Sequence, residues 1–127
     1  MKYTFKKFES RGPSKDNRIS INKSGEITFP SIFCYENKIF SYEYSTLFWD
    51  QEKKAIGISF TNKKEGHGNY KVTRLSRGGG ARISAKGFLK SSGIDLSVDS
   101  GRYFWKKYDD PELGSLFVFE LGEKWNF

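Results

Sequence analysis

The sequence predicts a mostly β domain with two short helices, built from two tandem units of one design. Each unit is a β-turn-β segment, a short helix and a β-hairpin, and the two together form a pseudo-two-fold, β-barrel-like body. Three observations predict this. Displacing the 127-residue chain along itself by 56 positions sets Phe48-Trp49 on Phe104-Trp105, Ile27 on Ile83, Ser20 on Ser76 and Ser41 on Ser97. At the same displacement Ile19, Ile32, Phe33 and Phe40 meet Leu75, Phe88, Leu89 and Leu96. Apolar positions thus fall on apolar ones in the same order, although only about five of some thirty positions are identical. Finally, the apolar content is concentrated in 12 Phe and 7 Tyr, and 13 Gly punctuate the chain, which suits strands and turns over a helical bundle.

Residues 1–17 form a basic N-terminal strand and arm. Tyr3, Phe5 and Phe8 alternate with polar residues as in a short strand, and residues 11–17 read as a loop around Gly12-Pro13. The first unit spans about residues 18–60. Ile19-Ser20-Ile21 alternates, Asn22-Lys23-Ser24-Gly25 turns, and Glu26-Ile27-Thr28-Phe29 returns to Pro30. Pro30-Ser31 opens a helix, because a first-turn position has no bonded N–H to lose. Residues 42–49 are an aromatic strand, residues 50–54 a polar hairpin and residues 55–60 the returning strand. A polar, glycine-bearing connector covers residues 61–69.

The second unit spans about residues 70–121 and repeats the order. It has a strand over 70–75, a Gly-rich turn over 76–81, and a return starting at Arg82-Ile83. Ser84 is placed to cap a helix over 85–91, and Gly93-Ile94 fits a left-handed C-terminal cap with an apolar residue behind it. A strand over 102–107, a loop over 108–114 and a last strand over 115–121 complete it. The longer loop explains why Ile56 and Ile58 match Leu116 and Val118 at a displacement of 60.

The length fits one domain with a core of its own. No apolar run approaches the ~18 residues of a membrane span, and the charged start lacks the apolar stretch of a signal peptide. The lone Cys34 excludes an internal disulfide and a cysteine-based zinc site, which implies a reducing, cytoplasmic setting. A net charge of +7 favours an acidic partner, nucleic acid before a membrane surface.

The densest basic stretch is Arg74-Leu75-Ser76-Arg77-Gly78-Gly79-Gly80-Ala81-Arg82, with Lys71, Lys86 and Lys90 nearby. Glycines let backbone N–H groups approach a phosphate, and arginines add bidentate contacts. On a hairpin tip the stretch would grip a phosphate backbone. The plainer reading is a solvated turn. A nucleotide-binding loop is excluded, since neither Lys-Ser/Thr nor a long helix follows. The corresponding turn of the first unit is Asn22-Lys23-Ser24-Gly25, preceded by Arg18. A pseudo-two-fold axis would set Arg18 and Lys23 beside Arg74, Arg77 and Arg82 on one face. The expected nucleic-acid-binding set is therefore Arg18, Lys23, Arg74, Arg77, Gly78, Gly79, Gly80, Arg82, Lys86 and Lys90.

The stretch from Ile19 to Pro30, with Gly25, Ile27, Phe29 and Pro30 in place, resembles the swapped-hairpin DNA-binding proteins of the AbrB/SpoVT class. Two such units in one chain resemble its MraZ branch. The likeness covers residues 18–60 closely and 70–121 loosely. It implies double-stranded DNA, ahead of RNA, as the partner, and a transcription-regulator-like or antitoxin-like role. Glu26 departs from the pattern, which has a basic residue after the glycine. Cys34 stands where the helix often carries Arg, a place Lys90 fills in the second unit, and the first unit lacks the Gly-Asp turn before its second hairpin.

Catalysis has little support. His67 is the only histidine and lies in a polar loop without a partner motif. Cys34 reads as a small buried residue, and Asp109, Asp110 and Glu112 read as a turn rather than a cation site. No catalytic residue, metal or cofactor is expected. Phe48, Trp49, Phe104 and Trp105 are stacking platforms if exposed, but matched places in a repeat make core the expectation for at least one of each pair. The alternative to nucleic-acid binding is a non-enzymatic protein-interaction or accessory module, virus- or plasmid-encoded, acting as a homodimer or with another protein. Its charge would serve only solubility.

Overall fold

Two five-stranded antiparallel sheets face each other across one core in a computed structural model that describes residues 17–63, 69–76 and 79–124. In chain order the elements are β1 (Ile19–Ile21), β2 (Glu26–Phe29), α1 (Ser31–Glu36), β3 (Tyr44–Asp50), β4 (Ala55–Thr61), β5 (Asn69–Lys71), β6 (Thr73–Arg74), β7 (Ala81–Ser84), α2 (Lys86–Ser91), α3 (Leu96–Asp99), β8 (Gly101–Tyr103), β9 (Lys106–Asp110) and β10 (Gly114–Glu120). Short 3-10 turns occupy Ile39–Ser41 and Leu121–Glu123. The N-terminal strand and arm over 1–16, His67 in the connector, and Arg77 with Gly78 lie outside the described residues.

The first sheet runs β6-β7-β2-β1-β8 and the second β5-β3-β4-β10-β9. At the centre of the first sheet β2 pairs with β7, and Ile27 lies opposite Ile83, the two residues that the 56-position displacement superposes. At the centre of the second sheet β4 pairs with β10, with Gly57 opposite Val118. Each sheet therefore joins one hairpin from each half of the chain, back to back. The edge strands β6, β8, β5 and β9 do not close onto one another, so the body is an open pair of sheets and not a barrel.

Alternation sets the faces. Ile19 and Ile21, Ile27 and Phe29, Ala81 and Ile83, and Tyr103 point inward and are buried. From the second sheet Leu47, Ile56, Ile58 and Phe119 meet them. Aromatic pairs bridge the layers: Phe29 with Phe60 (5.5 Å between ring centroids) and Tyr103 with Phe119 (5.1 Å). Helix α1 inserts Phe33 between the sheets, where it stacks on Phe29 and meets Trp105 and Phe117 edge-on at 4.9 and 5.0 Å. Pro30 is its N-cap, and the left-handed Lys38 (φ 55°) follows its end.

Helix α2 ends as its sequence indicates. Gly93 adopts φ 77°, its N–H reaches the Lys90 carbonyl, and the Ile94 N–H reaches the Leu89 carbonyl, a Schellman pair with Leu89 and Ile94 both buried. Its start differs. Ser84 pairs with Glu26 in the sheet, Ala85 takes the N-cap without a side-chain bond, and the Ala85 N–H goes to the Gly25 carbonyl.

Four further expectations are corrected. The strand expected over 70–75 divides at Val72, whose N–H bonds the Glu43 carbonyl, so β5 joins the second sheet and β6 the first. The strand over 102–107 divides at Phe104-Trp105 in the same way, into β8 and β9. The loop expected over 108–114 is mostly paired strand around a short turn, in which Asp110 Oδ1 accepts from the N–H groups of Glu112 and Leu113. Among the described residues there are three α-helices, where the sequence indicated two. The additional α3 is a single turn capped by Asp95, too short for a periodic apolar signal.

Candidate nucleic-acid interface

The outer face of the first sheet carries the residues that alternate away from the core. Its pairing register aligns Thr73, Arg82, Thr28, Ser20 and Arg102 in a row across all five strands. Three strand spacings of about 4.8 Å separate the backbones of Arg82 and Arg102, roughly 14 Å in all. Both arginines are exposed and the residues between them are small and hydroxylated. Guanidinium and hydroxyl groups of this kind are donors to phosphate oxygens.

Glu26 is the only acidic residue within the five strands. Its Oε2 lies 3.1 Å from Nη1 of Arg82, while its Oε1 accepts from Asn22 Nδ2 at 3.0 Å. Asn22 in turn holds the β1–β2 turn. Its Oδ1 accepts from the N–H groups of Ser24 and Glu26 and from the Ser24 hydroxyl. Lys23 projects from this turn into solvent.

Gly25 closes the turn at φ 88°, and the stem of Lys86 packs directly over it; a Cβ at that glycine would sit 2.8 Å from Lys86 Cβ. Lys90 follows one helical turn after Lys86, on the same side of α2. Lys23, Lys86 and Lys90 thus gather at the end of the sheet where β1 turns into β2.

The other basic residues are placed differently from the single cluster expected. Because β2 and β7 run antiparallel, the Asn22–Gly25 side of the sheet and the 75–80 turn lie at opposite ends. Arg18 is at the end of the 75–80 turn but on the far flank, its guanidinium carbon 5.9 Å from the Phe104 ring centre. Arg74 pairs with the inward-facing Ala81, and its guanidinium carbon lies over the Phe40 ring at 4.1 Å, away from the outer face. Gly80 is buried against the backbone of Phe29 and Pro30, where a methyl group would overlap the Phe29 carbonyl. The Gly79 N–H bonds the Ser76 carbonyl. Both glycines are thereby accounted for by packing and turn geometry.

Arg102 of this face escaped the sequence reading, which offered the nearby Phe104 as a stacking platform only if exposed. Its alternation with buried Tyr103 was the available signal, but the strand break after Tyr103 concealed which face it occupies. The matched Phe-Trp pairs also part company. Trp49 and Trp105 both pack on the core, with Trp105 Nε1 donating to the Asn17 carbonyl at 2.7 Å. Phe104 is 57% exposed. Phe48 lies on the outer face of the second sheet, where with Leu113, Leu116 and Val118 it lines an apolar groove of about 330 Å³. Asp50, Asp110, Glu120, Lys53 and Lys106 border that groove.

The reactive candidates have structural roles. Cys34 is fully buried, and burial pushes its thiol up to about 12, far from a reactive thiolate. Asp109 accepts from the Ser115 hydroxyl and Asp110 holds its turn. No group of three or more metal-ligating side chains occurs among the described residues, and no helix among them is long and apolar enough to cross a membrane. Comparison of the chain with protein-family models, curated proteins and solved structures finds no match.

Proposed function

We propose that the protein binds nucleic acid, duplex DNA ahead of RNA, by laying the outer face of its first sheet against the phosphate backbone. The observation that carries this reading is the cross-strand row of Arg82, Thr28, Ser20 and Arg102, flanked by Lys23, Lys86 and Lys90 where β1 turns into β2 and by Arg18 at the opposite end of the strands. The row is donor-rich and nearly free of carboxylates, and its hydroxyls are short enough for a backbone to approach closely. The swapped-hairpin resemblance adds a transcription-regulator-like or antitoxin-like role, in a reducing, cytoplasmic setting that suits the lone cysteine.

Fluorescence anisotropy with a labelled duplex tests the reading. Binding is expected at ~50 mM salt and falls steeply by ~200 mM, each neutralised phosphate adding about −0.9 to the log-log slope. The double variant Arg82→Glu, Arg102→Glu is expected to abolish binding with its circular dichroism unchanged. No binding by the parent protein at ~50 mM salt, or full binding by the double variant, would overturn it. A second reading, a protein-interaction module, is favoured by the groove on the second sheet; its mark is a partner lost on Val118→Glu but retained by the double arginine variant.

A further inference from the structure

We propose that Phe104 is a stacking platform for an unpaired base, so that the preferred ligand is a duplex carrying a single-stranded end. This rests on the nucleic-acid reading of the same face. Four features of the flank at β8 support it.

Phe104 is the large apolar side chain that stands exposed among cations. Arg102 of β8 precedes it by two residues, and Arg18 lies at the outer range of a cation–π contact with its ring. The other exposed large apolar residues have different surroundings: Tyr35 packs edge-on against Phe40, Val98 sits on the single turn of α3, and Leu113 and Tyr108 belong to the groove of the second sheet.

The backbone that carries the ring is also held in place. Trp105 turns inward against Phe33 and Phe117, and its indole N–H is bonded to the Asn17 carbonyl. With Tyr103 buried on one side and Trp105 anchored on the other, the chain crossing between the sheets presents Phe104 outward. A backbone fixed in advance lowers the ordering cost of binding.

The charge around the ring is polarised. Arg18 and Arg102 lie on its sheet side, whereas the shallow hollow on its other side sets Glu120 and Glu123 against the single cation Lys106. Phosphates are drawn more strongly to the first side than to the second. A strand whose backbone follows the arginines therefore turns its base towards the ring.

The row of donors ends there. β8 is the last strand of its sheet, bridged on its outer side to Lys124, whose ammonium is bonded to the Val98 and Ser100 carbonyls, so a duplex lying across the sheet meets Phe104 where the phosphate-binding surface stops. A paired base has no free face to offer, whereas a base beyond the duplex end does. Stacking tolerates any base, so no sequence preference is expected from this contact.

The test uses the full chain and two labelled DNA probes with the same duplex, one blunt and one with a four-nucleotide overhang containing 2-aminopurine. The overhang probe is expected to bind about 5-fold or more tightly, with quenched 2-aminopurine fluorescence. Phe104→Leu should abolish that difference and leave blunt-duplex affinity unchanged, and Phe104→Tyr should retain it. Equal affinity for the two probes, or an overhang preference that survives Phe104→Leu, would overturn the stacking proposal while leaving the backbone reading intact. Binding to neither probe at ~50 mM salt would overturn both.

Discussion

Glu26 decides how much of the basic face is available. The sequence departs from the swapped-hairpin pattern at this residue, and the structure shows its carboxylate shared between Arg82 and the Asn22 side chain. With Arg82 and Glu26 both partly exposed, that ion pair adds at most about 1 kcal/mol to stability. Its larger effect is to offset a cation where a phosphate would bind. Glu26→Gln is therefore expected to raise duplex affinity by about two- to five-fold at ~50 mM salt and to change thermal stability little. Anisotropy titrations beside a melting curve would show this, and unchanged or weaker binding would place Arg82 away from the phosphates.

At the scale of elements, two glycines behave oppositely. Gly93 has open space around its missing Cβ but a left-handed φ of 77°, so Gly93→Ala should cost only the conformational penalty, about 1–2 kcal/mol. Gly80 lies outside the left-handed region, but a Cβ there would sit 1.6 Å from the Phe29 carbonyl oxygen. Gly80→Ala must move one sheet hairpin off the other and should cost more, about 3 kcal/mol or above, measured as urea midpoints with unchanged m-values. The Gly93-Ile94 cap was legible because its signal is local: a glycine, an apolar residue behind it and a helix before it. The role of Gly80 was not, because its partner lies fifty residues earlier and on another strand. The same division explains the strands. Hairpins such as β3–β4 were legible from alternation and a polar turn. The breaks at Val72 and Phe104-Trp105 were not, since alternation continues across both while the chain changes sheets. Those breaks misplaced the candidate site: Arg74 was expected beside Arg82, and Arg102 was passed over.

For the whole molecule, the buried titratable groups make alkali the destabilising direction. Burial raises the Cys34 thiol from 9.0 to about 12, and burial with the nearby Asp99 charge raises the Tyr103 phenol from 10.0 to about 12. Both are held protonated in the fold, so their stabilising effect is complete below the unfolded-state values and is lost as pH rises towards 12. Unfolding free energy should fall from about pH 9, each group adding a slope approaching about 1.4 kcal/mol per pH unit. Cys34→Ala should move the onset to about pH 10 in denaturant titrations, and an unshifted onset would contradict the assignment. The crossing at Phe104-Trp105 has a consequence of another kind, for biosynthesis. β1 has its neighbour β2 available within a few residues of chain, but its other edge is filled by β8, about eighty residues later. At roughly 5–20 residues per second that edge waits some 4–16 s for its partner. The nascent chain therefore carries an unfinished sheet through most of its synthesis, and interruption before Tyr103 would release a fragment with a strand edge open to other chains.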